Sequence, residues 1–180
     1  MKKLLLSAFA LFSFTFISTS FSQGMFEAKA LGAGIQINTH VYGVSAKYNF
    51  TEKHNAELII GSSFKDHYDS PVTITGKYLY NFLFQDSFKV YGFAQIGAWI
   101  GTKDYYYDDY YDDYYYDYYY DYDRNTAVAF GLGGGIEYAL PGFEQLGLCA
   151  EVGYASISRS GIDNDSDPFI GIGAHYYFSF

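Results

Sequence analysis

The chain has 180 residues, a single cysteine and a net charge of −9, and aromatic side chains make up 22% of it. The acidity argues against nucleic acid as a partner, and one cysteine excludes an internal disulfide. The aromatic content exceeds the needs of a soluble core this size, and Tyr, at 22 residues against 17 Phe, favours sites where one end of the ring is dry and the other wet.

Lys2 and Lys3 precede an apolar run over 4–17, and Ser20 and Ser22 follow at the two small-residue positions read by a signal peptidase. This is the pattern of a secretory signal peptide over 1–22. The run falls short of the roughly 20 residues of a spanning helix. Cys149 is too distant from the cleavage site for acylation there. Removing 1–22 leaves one domain, 23–180, whose charge becomes −11 because Lys2 and Lys3 leave with the leader.

Within 23–180 no segment has the apolar length of a spanning helix or a 3.6-residue period, whereas period two marks eight strands. The first, 30–37, sets Leu31, Ala33, Ile35 and Ile37 against Gly32, Gly34 and Gln36. The second, 41–50, sets Tyr42, Val44, Ala46, Tyr48 and Phe50 against Gly43, Ser45, Lys47 and Asn49. In 56–64, Leu58, Ile60 and Phe64 oppose Glu57, Gly61 and Ser63, and in 72–82, Ile74, Tyr78, Tyr80 and Phe82 oppose Thr73, Thr75, Lys77 and Asn81. The fifth, 88–101, is apolar on both faces, and its aliphatic side with Val90, Ala94, Ile96, Ala98 and Ile100 is assigned outward, leaving Tyr91, Phe93, Gln95 and Trp99 inward.

A tract over 104–123 follows, made of twelve Tyr and eight Asp. It cannot bury a core and repels itself, so an extension into solvent is expected. Asp104, Asp108, Asp109, Asp112, Asp113, Asp117, Asp121 and Asp123 offer hard oxygen ligands for Ca²⁺ or Mg²⁺, and the tyrosines offer contact surface to a host or cell-surface ligand. Against this, the spacing lacks the glycine and fixed ligand positions of a calcium loop, and a loop tip tolerates an expanded repeat.

The sixth strand, 126–138, sets Val128, Phe130, Leu132, Ile136 and Tyr138 against Gly131, Gly133, Gly135 and Glu137. In the seventh, 146–157, Leu148, Ala150, Val152 and Tyr154 oppose Gly147, Cys149, Glu151 and Gly153. The last, 169–180, places Ile170, Ile172, Ala174, Tyr176, Phe178 and Phe180 on one face, with His175 opposite. Connections at the end that carries both termini are short, at 51–55, 83–87 and 139–145. Those at the other end are 38–40, 65–71, 102–125 and 158–168. With no helical layer to cover them, the apolar faces are expected to meet lipid, and short turns opposite longer loops match a bacterial outer-membrane barrel.

An eight-stranded barrel has an interior just wide enough for its own side chains, so an open general porin is not expected. Inward glycines fit that crowding, or ease strand curvature. The inward charges Lys47, Glu57, Lys77, Lys89, Glu137 and Glu151 must then pair within a low dielectric. Lys47, Glu57 and Lys77 lie on successive strands and are expected to interleave. Glu137 and Glu151 lie on neighbouring strands with no base between them, so a lysine, a bound water or a raised pKa is expected there. This is read as a structural polar network, with His175 a packed polar residue.

The alternation over 30–180, ending on Tyr176, Phe178 and Phe180, resembles the small outer-membrane β-barrel family that includes the outer-membrane protein A transmembrane domain, the outer-membrane protein X type and the opacity-like surface proteins. The resemblance implies an all-β, eight-stranded antiparallel up-and-down barrel in the outer membrane of a Gram-negative bacterium. It makes Tyr176, Phe178 and Phe180 an assembly signal read by the barrel-assembly machinery. Outer-membrane lipid and lipopolysaccharide are the surroundings it implies, with a structural or surface-contact role and no cofactor. Some eight-stranded barrels modify lipid A with a His and a Ser or Asp near the outer rim. His67, Asp69 and Ser70 share one loop here, but such a loop does not preorganise them, and no catalysis is expected.

Overall fold

The computed structural model describes residues 28–64, 72–85, 87–103, 124–158 and 165–178. The alternating segments become eight strands: β1 (Leu31–Asn38), β2 (Val41–Asn49), β3 (His54–Ser63), β4 (Val72–Gln85), β5 (Phe88–Lys103), β6 (Arg124–Leu140), β7 (Phe143–Ser158) and β8 (Asp165–Phe178). Each pairs antiparallel with its sequence neighbours, and β8 returns to β1 in register Leu31↔Phe178 to Asn38↔Gly171, closing the barrel. Closure satisfies the backbone groups of the first and last strands, which an open sheet would leave as edges.

The facing of every strand follows the alternation. Val44, Leu58, Ile74, Ile96, Leu132, Val152 and Ile172 point outward and exposed, while Lys47, Glu57, Thr73, Trp99, Glu137, Cys149 and His175 point inward and buried. The fifth strand obeys its assignment, with Ile96 and Ile100 exposed and Tyr91, Phe93 and Trp99 buried. Exposed rings gather at the end that carries the termini, among them Tyr48, Tyr80, Phe82, Tyr138 and Tyr176.

Strand boundaries differ from the sequence reading mainly by extension. β3 starts at His54, β4 continues to Gln85 and β7 starts at Phe143, so the connections at the terminal end shrink to 50–53, 86–87 and 141–142. Pairing continues wherever a partner strand offers free groups. β4 achieves this through a register shift between Asn81 and Leu83. The connection 141–142 is tight because Gly142 adopts φ 80°, a left-handed conformation that glycine reaches without steric cost. At the opposite end β5 and β6 run on to the pair Lys103↔Arg124, past an irregularity at Gly101 with φ 96°. β8 begins at Asp165 and includes Pro168, which the alternation had left in a loop.

Inside, the barrel is filled in levels. Ala30, Ala139 and Tyr177 close the terminal end, a middle group contains Leu79, Tyr91, Phe93, Ala155 and Phe169, and Val41, Trp99, Ala127, Ala129 and Ile157 fill the loop end. The inward glycines answer to crowding. Gly43 faces Gly61 across β2 and β3, and a Cβ on Gly43 would lie 2.3 Å from the Ile60 carbonyl oxygen. Gly133 would place one 2.5 Å from the Phe93 ring.

Candidate functional site: an ion-paired lumen

Each lumenal charge is placed by the parity of its strand, and closure of the barrel then brings distant strands face to face. Lys47, Lys77 and Lys89 oppose Glu57, Glu137 and Glu151, all buried, so the fixed charges balance three against three. Balance matters because an isolated ion in this interior carries a desolvation penalty of several kcal/mol.

Two centres organise the lumen. Around Glu137, Lys89 Nζ lies 2.9 Å away and Lys47 Nζ 3.3 Å away, both on Oε2. The Tyr177 hydroxyl donates to Oε1 at 2.6 Å. Around Glu151, Lys77 Nζ approaches Oε2 to 2.5 Å and Gln36 Nε2 donates to the same oxygen at 2.8 Å, while the Tyr91 hydroxyl donates to Oε1 at 3.0 Å. Glu57 links the centres. Its Oε2 is 3.6 Å from Lys77 Nζ, and its Oε1 is 3.2 Å from His175 Nε2. His175 in turn holds the Ser45 hydroxyl at 2.6 Å and lies 3.7 Å from Glu137 through Nδ1. The amines also sit over rings, Lys77 over Phe93 at 5.0 Å and Lys47 over Tyr91 at 5.6 Å.

The expected interleaving of Lys47, Glu57 and Lys77 is half realised. The three are register partners in the order Lys47↔Glu57↔Lys77, and Lys77 does pair with Glu57. Lys47 instead sends its amine across the lumen to Glu137. That reach supplies the base Glu137 needed, and Lys77 supplies the one for Glu151. Sequence reasoning missed Gln36, Ser45, Tyr91 and Tyr177 as members and treated His175 as mere packing. Their inward parity was the available signal, but parity alone does not say which residues meet across a closed barrel.

Above this network, at the loop end, a small cavity of about 20 Å³ is lined in part by Asn38, His40, Thr75, Gln95 and Trp99. It has room for about one water molecule. Among the described residues no group of three or more His, Cys, Asp or Glu side chains is arranged to hold a metal ion.

Of the assembly-signal residues, Tyr176 is outward with its hydroxyl bonded to Gln145, and its ring meets Phe178 edge-on at 5.0 Å. Phe180, the leader 1–22, the residues His67, Asp69 and Ser70, and Asp104, Asp108, Asp109, Asp112, Asp113, Asp117, Asp121 and Asp123 lie outside the described residues. What is described of that tract is its base, the pair Lys103↔Arg124.

A search of curated proteins finds no match. Among solved structures, the N-terminal β-barrel domain of Pseudomonas aeruginosa OprF is similar, with a TM-score of 0.59 and 14% identity, over 87% of this chain and 100% of that one. At that identity the likeness speaks for the fold. The family model described as the outer membrane protein beta-barrel domain matches residues 10–178. The closed eight-stranded barrel, its apolar exterior and this match over most of the sequence agree: the chain belongs to the outer-membrane protein β-barrel family.

Proposed function

We propose that the protein is a structural component of the outer membrane whose barrel is closed to solutes and whose loops meet the cell exterior. The observation that carries this is the bridging of the lumen from wall to wall by Lys47–Glu137, Lys77–Glu151 and His175–Glu57, with filled apolar levels above and below. Solute passage would require separating buried ion pairs, each costing several kcal/mol. In this reading the terminal end faces the periplasm, its ring girdle meets the lipid interface, and lipopolysaccharide surrounds the opposite rim. The leader over 1–22 directs export, and the barrel-assembly machinery reads Tyr176, Phe178 and Phe180. The test is a swelling assay on liposomes containing the purified full chain. Sugar uptake at the rate of protein-free liposomes is expected, and porin-like uptake would refute the closed lumen.

A second reading makes 104–123 an adhesive or cation-binding surface. It is supported by the projection of β5 and β6, the two longest strands with β7, to the pair Lys103↔Arg124 at the base of the tract. Deleting 104–123 separates the two: a barrel that folds while cells lose adhesion or calcium binding assigns those activities to the tract, and unchanged adhesion and calcium binding leave it without either.

A further inference from the structure

Seven of the eight strand pairs join strands that are consecutive in the chain, and the eighth, β1 with β8, closes the barrel with no loop between its members. Register in a connected pair is set by the turn and by the facing pattern, and at the closing pair only the pattern remains. A slip of one residue there would turn the side chains of β8 to the wrong faces. A slip of two would not. Ile172 and Tyr176 would stay outward and His175 and Tyr177 inward, while the stagger of the barrel, and with it the width of the lumen, would change. Alternation therefore fixes the closing register only to within even steps.

Three inward glycines at this seam each stand between two side chains that meet over them. Gly34 is the register partner of Ser45 on β2 and of His175 on β8, and His175 Nε2 lies 2.6 Å from Ser45 Oγ and 3.2 Å from Glu57 Oε1 on β3. Gly173 pairs with Gln36 on β1 and with Cys149 on β7. Over it the Cys149 thiol donates to Gln36 Oε1 at 3.4 Å, and Gln36 Nε2 continues to Glu151 at 2.8 Å. Gly32 lies between Lys47 and Tyr177, which converge on Glu137 at 3.3 and 2.6 Å. A Cβ on Gly173 would lie 2.8 Å from Cys149 Sγ and against Gln36 Oε1, one on Gly32 would lie 2.9 Å from the Tyr177 ring, and one on Gly34 would meet the Ala174 carbonyl oxygen. The arrangement recurs at Gly135, between Tyr91 and Glu151, where the chain itself joins consecutive strands.

At the seam these contacts skip a strand, so they form only when β1 lies beside β8. Slipping β8 by two residues in one direction would set His175 against Gln36 in place of Gly34, where the two side chains claim the same space. In the other direction His175 would stand against Gly32 and face Lys47 in place of Ser45. Either slip moves β8 about 7 Å along β1, at roughly 3.4 Å per residue, and breaks both His175–Ser45 and Gln36–Cys149. Buried polar groups parted from their partners are the cost. We propose that His175 and Gln36, reaching over Gly34 and Gly173, form a register lock that selects the closing alignment of the barrel against alignments slipped by two residues.

The test uses the full chain folded in detergent, with cysteine pairs on the outward side of the seam in a Cys149→Ser background, which keeps a donor toward Gln36. Ile35→Cys with Ala174→Cys reports the observed register. Ile35→Cys with Ile172→Cys or with Tyr176→Cys reports the two slipped ones, since a disulfide joins Cα atoms no more than about 7 Å apart. The change of gel mobility on boiling reports folding. With the lock intact, mild oxidation is expected to close the Ile35–Ala174 pair and neither of the others. In the folded His175→Leu, Gln36→Leu double variant the slipped pairs are expected to close about tenfold more than in the parent, the size of effect that a few lost buried hydrogen bonds carry. A parent that closes a slipped pair as readily as the registered one overturns the proposal. So does a folded double variant that closes the registered pair alone, because a role in stability only would lower the urea midpoint and leave the register intact. If the double variant does not fold, Gln36→Met decides, since it keeps the length of the side chain and removes the amide: closure of a slipped pair supports the lock, and closure of the registered pair alone overturns it.

Discussion

Glu137 is the most connected carboxylate of the lumen, and replacing it by Gln separates its charge from its shape. The amide keeps an acceptor for the Tyr177 hydroxyl but leaves Lys47 without the carboxylate that holds it at 3.3 Å and Lys89 without the one at 2.9 Å. The lumen, balanced at three and three, then carries an excess positive charge. Breaking a buried pair by removing one partner costs about 3–5 kcal/mol. With a urea slope of about 1–3 kcal/mol/M, the midpoint should fall by about 1 M or more. Glu57→Gln should cost less, about 1–2 kcal/mol, because Lys77 keeps Glu151 at 2.5 Å and the amide can still meet His175. Adding Lys47→Met to Glu137→Gln restores the charge balance, so the double variant should be more stable than Glu137→Gln alone by about 1 kcal/mol or more. Trp99, the only tryptophan and 2% exposed in the lumen, reports unfolding in lipid vesicles by its fluorescence. Equal midpoints for wild type and Glu137→Gln, or a double variant weaker than the sum of its singles, would refute the assignment of Glu137 as the centre that holds these amines.

Other expectations follow from the same geometry. Gly43→Ala should destabilise by about 1–3 kcal/mol because its Cβ would meet the Ile60 carbonyl oxygen at 2.3 Å. Gly76→Ala, outward with its nearest atom at 4.0 Å, should leave the unfolding free energy within about 0.5 kcal/mol of wild type. Leu132→Arg, at a β6 position 68% exposed, should cost about 2–4 kcal/mol in a bilayer, whereas Ser158→Arg at the end of β7 should cost about 0–1. Similar costs for the two in folding titrations into vesicles would contradict the outward band. Cys149, 4% exposed, should resist a maleimide reagent in the folded barrel and react after unfolding, so rapid labelling of the heat-modifiable form would contradict a filled lumen.

The sequence by itself determined the strands, their facing and the class of surface they make, because a period of two is a local property that survives without knowledge of any partner. Val44, Leu132 and Ile172 face outward, as reading every second residue requires, and even the doubly apolar fifth strand resolved correctly into an aliphatic outside and an aromatic inside. Strand ends were less legible. The sequence left Pro168 in the connection before the last strand, but its nitrogen faces away from β7, so that ladder loses no bond and β8 passes through it. Only the tertiary structure decided which lumenal charges meet. Lys47 and Glu137 are 90 positions apart in the chain, and their pairing depends on the barrel's curvature and stagger, which turn side chains from non-adjacent strands toward a shared interior. Neighbours in register compete with partners across the lumen there. The winner is set by distance through space after closure, a quantity that alternation along one strand does not contain.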